Sequence, residues 1–476
     1  MSDVLIMGGG FAGLSAATAL AAAGRRVTVL EKRPVLGGRA YSYTDQTTGE
    51  VIDNGQHAMM GCYTEMFRFL DRIGATDKLA IQPGLRVDML DPTRGAGVIS
   101  CPPLPNPLHM GAGVLGYRLL GVADRARVLA GGLRLLIMKR RGDPRLARAH
   151  RRRRARPART ERRARASAFW HPVAIATLND DPAIASADLL AEVMVRAFFA
   201  GKDAARFVLS KVGLSELYTD DARRFIEAHG GRIETKAHVV GVGFRGDEVS
   251  HLELRDGRRL TAAAYVSAVP PHGLFPLLPI AVRRAVPALG GIEGLTSSPI
   301  VSVHVWFDRP ILPDRPFVGF VGTETHWAFN RDVISGRRDR DGGYLTLRDL
   351  RRARHRRRRQ RRDRGPHARR PAAARARRGG RDGATHPGRE GEVRDDVADG
   401  RGGASAGRPT ITPFDNFVLA GDWTDTGLPA TIESAVTSGH RAAEVVTARL
   451  AALGTRGGDA GGELSFRSVA TPEEGR

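Results

Sequence analysis

The apolar positions at the start of the chain follow the order strand, helix, strand. Residues 4–7 form a continuous apolar run that ends at glycines, which is typical of a buried parallel strand. Residues 11–23 are rich in Ala and Leu and stop at Gly24, which predicts a helix with a glycine at its end. A second apolar run, 27–30, ends at Glu31. This order predicts a βαβ unit, in which the helix joins two parallel strands.

The rest of the chain alternates between helical and strand-like patterns. We predict a hairpin-like region at 41–52 and helices at 63–73, 168–199, 220–229 and 429–450. Strands are predicted at 232–235, 238–244, 249–255, 264–269, 300–307, 317–330, 343–347 and 417–420. The region 111–138 is predicted to be helical and amphipathic, with Leu, Val and Ile on one side and Arg118, Arg125, Arg127 and Arg134 on the other.

These elements indicate an α/β protein with two discontinuous domains. The predicted Rossmann-type domain combines residues 1–100, 221–290 and 410–450, and residues 101–220 and 291–350 form an inserted α+β domain that receives the substrate. Residues 454–476 are predicted to be a polar tail.

The first glycine turn has the spacing of a dinucleotide-binding motif. Residues 8–13 satisfy G-x-G-x-x-G, in which Gly8 permits the tight turn, Gly10 lets the backbone approach a pyrophosphate, and Gly13 lets the helix pack close to the strand. The pyrophosphate is expected at the helix N-terminus, where free N–H groups favour an anion. Glu31 follows 18 residues after Gly13, where its carboxylate can accept both ribose hydroxyls. Together these residues predict a dinucleotide site.

Charge is concentrated in two Arg-rich stretches. The formal net charge is +23, but residues 139–166 carry +12 and residues 351–408 carry +13, so the remainder of the chain is close to neutral. Both stretches contain Arg, Ala, Gly, Pro and His and lack interleaved aromatic residues, so no nucleic-acid partner is expected. We interpret both as frameshifted readings of a GC-rich gene, poorly ordered and exposed. The alternatives are an Arg-rich loop that binds RNA or anionic lipid, and a solvated linker.

Cysteine content and the N-terminal pattern bear on location. Only Cys62 and Cys101 occur, which argues for a reducing compartment. The first residues lack the features of a signal peptide, and no apolar stretch is long enough to span a membrane. We therefore expect a cytoplasmic protein. The region 111–138 suits peripheral contact with anionic lipid at the inner face of the cell membrane, with core packing as the equal alternative.

Residues near both ends of the chain resemble flavoprotein motifs. Residues 31–40 resemble the extended FAD fingerprint, in which a second glycine pair and Arg39 follow the pyrophosphate toward the flavin ring. Gly421 and Asp422, after a buried strand and before a helix, resemble the second flavin motif of the same enzymes. The resemblance implies FAD as the cofactor, held by Gly8, Gly10, Phe11, Ala12, Gly13, Glu31, Lys32, Gly38, Arg39, Val239, Gly421, Asp422, Thr431 and Ile432.

Three further stretches narrow the resemblance to one family. Residues 53–57, 169–179 and 420–435 resemble the squalene-associated, FAD-dependent desaturase-like enzymes, the hydroxysqualene dehydroxylases of the amine oxidase/phytoene desaturase superfamily. The resemblance implies reductive removal of a hydroxyl from an apolar isoprenoid, with NAD(P)H or a reductase as electron donor and no metal. It implies His57 and Gln56 as catalytic candidates, with Asp53 behind them. A substrate cavity is implied at Trp170, His171, Asn179 and Trp423.

Other functions remain open from the sequence. A carotenoid or phytoene-type desaturase would use the flavin oxidatively on a similar polyene. An amine oxidase or protoporphyrinogen oxidase is a second alternative, but the C-terminal motif offers Trp423 alone where amine oxidation usually needs an aromatic pair. The alternative outside enzymes is an Arg-rich nucleic-acid-binding protein that keeps a flavin fold as a scaffold.

Overall fold

A five-stranded parallel sheet forms the centre of the first domain. The computed structural model describes residues 2–146, 161–179, 185–295, 297–337, 342–349, 391–396 and 410–456. The sheet has the strand order Arg232–Thr235, Val27–Glu31, Val4–Met7, Ala264–Ser267 and Phe417–Leu419, and all four pairings are parallel. Every residue of the two N-terminal strands is buried, as continuous apolar runs in a parallel sheet require.

Helices cover one face of this sheet, and a small antiparallel sheet lies on the other. The first face packs against the helices Phe11–Ala22, Thr64–Arg72, Leu214–Ala228 and Ile432–Arg456. On the second face, apolar residues contact a three-stranded sheet and three short helices. These elements are Val239–Arg245, Glu248–Leu254, Arg259–Leu260, Pro271–Leu274, Ile280–Ala285 and Pro287–Gly290. The predicted Rossmann-type fold is confirmed.

A seven-stranded sheet forms the second domain. Its strand order is Gly391–Asp396, Ser297–Phe307, Gly343–Asp349, Thr325–Asn330, Phe317–Phe320, Arg86–Asp91 and Gly95–Ser100. Only the pairing of Phe317–Phe320 with Arg86–Asp91 is parallel. The associated helices are Leu108–Gly116, Val122–Arg140, Glu161–Leu178, Ala187–Val193 with a π-helical turn at Met194–Phe198, and Arg331–Ser335. Within the described residues, no helix is long and apolar enough to cross a membrane.

Short strands connect the two domains. Ser42–Thr44 and Val51–Asp53 form the predicted hairpin. Ala58–Met60, Phe207–Ser210 and Leu79–Ile81 form a three-stranded antiparallel sheet that the sequence did not predict. Because these strands have three or four residues, their periodicity is too short to recognise.

Several boundaries differ from the sequence-based expectations. Residues 86–100 pair into the second sheet, so the domain boundary predicted at residue 100 lies before Arg86. The helix expected at 220–229 begins at Leu214 and packs on the first domain. The region 111–138 is two helices, separated at Tyr117–Gly121. Val87, Met89 and Asp91 are buried at alternate positions, which is typical of a strand. This strand was difficult to recognise because the segment it pairs with, Gly95–Ser100, is rich in glycine.

The Arg-rich stretches are only partly described. Residues 391–396, inside the stretch expected to be irregular, form a strand that pairs antiparallel with residues 297–302. Two helices also extend into the first stretch: one ends at Arg140, and another begins at Glu161. The expectation of irregular structure is wrong for these residues. The remaining parts, 147–160, 351–390 and 397–408, lie outside the described residues, as does the tail from residue 457.

Candidate functional site

A cleft of about 680 Å³ lies at the carboxyl ends of the parallel strands. The turn after the first strand forms its floor, and the Gly8 amide donates a hydrogen bond to the Leu30 carbonyl at 2.8 Å. Gly8 has φ +105°, a conformation that side chains rarely adopt. A Cβ on Gly13 would lie 1.9 Å from the Gly8 carbonyl oxygen, so glycine is required where the helix approaches this turn.

The two glycine loops lie against each other. The Gly37 amide donates to the Gly9 carbonyl at 2.8 Å, and a Cβ on Gly38 would come within 3.0 Å of the Gly10 Cα. Tyr218, from the helix Leu214–Ala228, holds the second loop by donating hydrogen bonds to the carbonyls of Gly37 and Ala40 at 2.9 and 3.0 Å. Its ring stacks on Phe11 with centroids 3.8 Å apart. Tyr218 was not predictable from the sequence, because it lies 181 residues from Gly37 in a helix without a motif.

Glu31 lies buried at one end of the cleft. Its Oε2 accepts a hydrogen bond from the Gly9 amide at 2.9 Å, and its Oε1 accepts one from the Arg33 amide at 2.9 Å. These bonds fix the carboxylate beside the first glycine turn, where a ribose that follows the pyrophosphate would lie. Val239 and Lys32 line the same end of the cleft.

The C-terminal motif closes the opposite end of the cleft. Asp422 forms an ion pair with Arg39, which links the two halves of the sequence that contact the cleft. The Gly421 amide donates to Ser438 Oγ at 2.7 Å. Thr431 Oγ1 accepts from the Ser434 amide at 3.2 Å and so caps the last helix. The positive end of this helix therefore points toward the cleft.

Most of the predicted cofactor residues line this cleft. Gly13 does not, because it packs behind the turn against Gly8. The cleft lining includes Gly8, Gly10, Phe11, Ala12, Glu31, Lys32, Gly38, Arg39, Val239, Gly421, Asp422, Thr431 and Ile432. The individual roles of these residues in holding FAD stay predictions.

The two catalytic candidates point in different directions. His57 lines the cleft, and its Nδ1 lies 2.8 Å from the Gly55 carbonyl oxygen. Gln56 is buried away from the cleft, where its Oε1 accepts a hydrogen bond from Arg331 Nη1 at 3.1 Å. Arg331 Nη1 also lies 3.7 Å from Asp53 Oδ2. The placement of Gln56 at the reacting centre is therefore corrected: it supports the loop that carries His57.

The residues predicted for the substrate cavity are split among three locations. Trp170 packs between helices, 3.4 Å from where a Gly131 Cβ would lie, and His171 is exposed, so neither lines the cleft or the apolar cavity beside it. Trp423 lies in the wall of the cleft. Asn179 also lines this cleft, with φ +49°, and its Oδ1 accepts from Arg348 at 2.6 Å. Trp170 and His171 were predicted on the wrong face of their helix. Phe169, Val173 and Ala176 share the face that is directed toward a second cavity with apolar walls.

A second, largely apolar cavity of about 140 Å³ adjoins the cleft. Five residues line both spaces and form the junction between them: Ala58, Tyr63, Ala176, Thr431 and Arg348. The apolar walls come from distant segments and include Leu85, Met89, Met110, Phe169, Val173, Trp327 and Phe329. Apart from Phe169 and Val173, which belong to the recognised stretch 169–179, no motif marks these positions, so the cavity was not predictable from the sequence.

Burial keeps the protons on two polar groups near the junction. Burial raises the pKa of the Tyr63 phenol above its ordinary value, and its hydroxyl is hydrogen-bonded to Thr431. Burial also raises the pKa of the Cys62 thiol to about 11. Both groups are therefore neutral at physiological pH.

Glu433 has a structural role beside this junction. Its carboxylate accepts hydrogen bonds from the amides of Glu65 and Met66 at 3.0 and 2.9 Å, and thus caps the helix Thr64–Arg72. Burial raises the pKa of this carboxyl.

The cleft fits FAD by shape and by charge. Its volume lies within the range of roughly 300–1,000 Å³ that is usual for cofactor sites. Among the described residues no side chain caps the helix Phe11–Ala22, and its first turn contains no acid, so its N–H groups face the cleft for an anion. The two glycine loops lie against each other because neither has a Cβ at the contact: a Cβ on Gly10 or on Gly38 would come within 3.4 Å of the other loop. In the described part of the chain, no three His, Cys, Asp or Glu come together as a metal site.

The fold and the cleft define a flavin-binding oxidoreductase of the Rossmann class. Comparison with protein families agrees, because the flavin containing amine oxidoreductases match residues 11–347 and 397–447. The chain belongs to this family. The predictions of an FAD-dependent oxidoreductase and of the amine oxidase superfamily are thereby confirmed.

Individual relatives refine the picture. The chain is 28% identical to the hydroxysqualene dehydroxylase of Sinorhizobium fredii over 93% of this chain and 98% of the relative. It is 26% identical to the 15-cis-phytoene desaturase of Narcissus pseudonarcissus, over 65% of this chain and 54% of that enzyme. Among solved structures, an oxidoreductase from Methanosarcina mazei superimposes with a TM-score of 0.63 at 16% identity and covers 93% of this chain and 99% of its own. The last similarity shows the fold alone.

Proposed function

We propose that this protein removes the hydroxyl of hydroxysqualene by reduction and releases squalene. The observation that supports this most is the apolar cavity that shares a wall with the flavin cleft. A hydroxylated hydrocarbon would place its chain in that cavity and its carbon–oxygen bond at the junction. The similarity to hydroxysqualene dehydroxylase along nearly the whole of both chains supports the same substrate class.

The reaction balances with one hydride and one proton. The carbon–oxygen bond breaks, a carbon–hydrogen bond forms, and the oxygen leaves as water. Reduced FAD held in the cleft would supply the hydride, and an external donor, NAD(P)H or a reductase, would replace the two electrons. We assign protonation of the leaving oxygen to His57, which lines the cleft, and a hydrogen bond to the same oxygen to Tyr63. The apolar walls exclude water that would otherwise capture the reacting carbon.

The cavity holds only part of the substrate. At about 140 Å³ it is smaller than the roughly 300 Å³ at the lower end of cofactor and drug-sized sites. We therefore infer that the cavity takes the isoprene units next to the reacting carbon and that the remaining chain extends toward the protein surface. The enzyme is proposed to be cytoplasmic and to meet this substrate at the inner face of the cell membrane.

A single-turnover assay tests the proposal. The holoenzyme, reduced chemically without oxygen, is mixed with hydroxysqualene, and squalene is measured by mass spectrometry together with reoxidation of the flavin absorbance. We expect one squalene per flavin. Absence of squalene, together with growth of polyene absorbance from phytoene under oxidising conditions, would refute it in favour of a desaturase.

Variants of residues that line only the cavity separate it from the cofactor site. Ala168→Phe places a ring in the apolar cavity, which Ala168 lines without lining the cleft, and should abolish turnover while the protein retains FAD. Ala228→Phe, at an exposed helix end, is the matched control. His57→Asn should slow turnover about 100-fold or more if His57 is the proton donor, whereas His229→Asn, exposed and remote, should not. Full turnover by Ala168→Phe would exclude this cavity as the substrate site.

A further inference from the structure

Two helices of the second domain present apolar side chains to solvent. Val122 and Leu133 are 81% and 57% exposed, and Leu108 on the preceding helix is 62% exposed. We call the outer face the surface formed by Leu108, Leu115, Val122, Leu133 and Ile137. In the helix Val122–Arg140 the exposed residues Val122, Ala126, Ala130, Leu133 and Ile137 recur every three or four positions, so they form one stripe. The residues of the opposite stripe, Val128, Gly132 and Leu136, are buried.

Arginines flank this apolar stripe. Arg127 and Arg134 are exposed and lie on one side of it, and Arg118 and Arg140 are exposed near its two ends. Asp124 pairs with Arg127 at 2.6 Å but is itself buried. The outer face is therefore apolar along its centre and positively charged at its margin. An ordinary surface helix buries its apolar stripe and exposes its polar face. An exposed apolar stripe flanked by arginines is instead typical of helices that lie in a membrane interface.

Only one helix separates the outer face from the apolar cavity. Met110, in the helix Leu108–Gly116, lines the cavity, whereas Leu108 and Leu115 of the same helix are exposed. An α-helix with its side chains is about 10 Å across, so the two surfaces lie about that far apart. A displacement of this helix would connect the cavity directly with whatever covers the outer face.

We propose that the outer face docks onto an anionic phospholipid bilayer and that the apolar substrate enters there. The apolar stripe would lie among the acyl chains near the headgroups, and the flanking arginines would contact lipid phosphates. A second copy of this chain fits less well, because a two-fold interface would bring the same arginines of both copies together. The route for the substrate rests on the proposed function, whereas docking itself does not.

Vesicle sedimentation of the full-length holoenzyme tests docking. Vesicles of phosphatidylcholine with 0 or 30% phosphatidylglycerol are compared. Val122→Ser combined with Leu133→Gln should weaken binding roughly tenfold or more, because two apolar side chains no longer enter the bilayer. Arg127→Gln combined with Arg134→Gln should weaken binding to the anionic vesicles about fivefold per residue and leave binding to neutral vesicles unchanged. Ile280→Ser and Arg309→Gln, both exposed on other surfaces, are the matched controls.

Each outcome supports or overturns the proposal. Failure of the unmodified protein to bind anionic vesicles overturns it, as does equal binding by the outer-face variants and the controls. Loss of a dimer in the variants without any vesicle binding would identify the outer face as a self-association surface instead. The same preparations assayed with hydroxysqualene in detergent should turn over at the rate of the unmodified protein. Vesicle binding without squalene formation refutes the proposed function and leaves docking intact.

Discussion

Gly13→Ala should weaken the binding of FAD without unfolding the protein. The added Cβ would lie 1.9 Å from the Gly8 carbonyl oxygen and 3.3 Å from the Ala268 Cβ. Since carbon and oxygen in ordinary contact are separated by more than about 3 Å, the turn and the helix must move apart by more than about 1 Å. Overpacking of this kind costs about 1–3 kcal/mol. If the strain is relieved by moving the glycine turn, FAD affinity falls by a corresponding factor of roughly 5 to 150.

Flavin fluorescence titration of the apoprotein measures this affinity. Gly132→Ala is the matched control, because nothing lies within 4 Å of its added Cβ and alanine favours a helix. Thermal denaturation of both apoproteins separates loss of cofactor from loss of fold. An affinity for FAD within twofold of the unmodified protein in Gly13→Ala would refute the assignment of this turn to the pyrophosphate.

Three further predictions concern stability. His109→Leu should raise the midpoint of thermal unfolding, because His109 is buried and neither ring nitrogen has a partner among the described residues; a lower midpoint would show that the ring has a partner. Burial lowers the pKa of His304 to about 4, whereas the unfolded chain binds that proton below about pH 6.5, so stability falls as the pH falls between these values. The free energy of unfolding, measured with urea, should therefore fall between pH 7.5 and 4.5 by about 2.5 kcal/mol less in His304→Gln than in the unmodified protein. An equal fall in both proteins would contradict this prediction. Gly439→Ala places a Cβ 2.1 Å from Ser15 Oγ and 2.3 Å from the Ala12 carbonyl oxygen, so the first and last helices should move apart. We expect a lower midpoint of thermal unfolding and a lower flavin content. An unchanged midpoint would contradict this prediction.

The cofactor side of the molecule was predictable because its determinants are local. The turn conformation, the free helix N-terminus and the carboxylate after the next strand all follow from residues within about thirty positions of each other. The residues that stabilise this arrangement were not predictable in the same way. Tyr218 reaches Gly37 from a distant helix, and Arg39 meets Asp422 across the whole chain. Such pairings depend on tertiary packing, which a single sequence does not display.

The substrate side was predicted less well because its walls come from many short segments. Gln56 and His57 are neighbours, yet one points to Arg331 and the other to the cleft, since adjacent side chains in an extended segment face opposite ways. In the helix Glu161–Leu178 the motif was recognised but its orientation was not. Counting the helical period from Phe169 would have selected Val173 and Ala176 and left out Trp170 and His171.

The second Arg-rich stretch bears directly on the substrate site. The family match ends at residue 347 and resumes at 397, and the stretch interpreted as frameshifted spans 351–408. Arg348, the first residue after the match ends, places a guanidinium at the junction where the proposed apolar substrate would pass. This guanidinium donates a hydrogen bond to Asn179 Oδ1 at 2.6 Å, and Arg348 lies before the stretch interpreted as frameshifted. The strand at 391–396 is the contrary observation, because it pairs in register with residues 297–302. Resequencing the gene decides the question: a corrected frame should replace the arginines within 351–408, and a continuous frame through this segment refutes the frameshift.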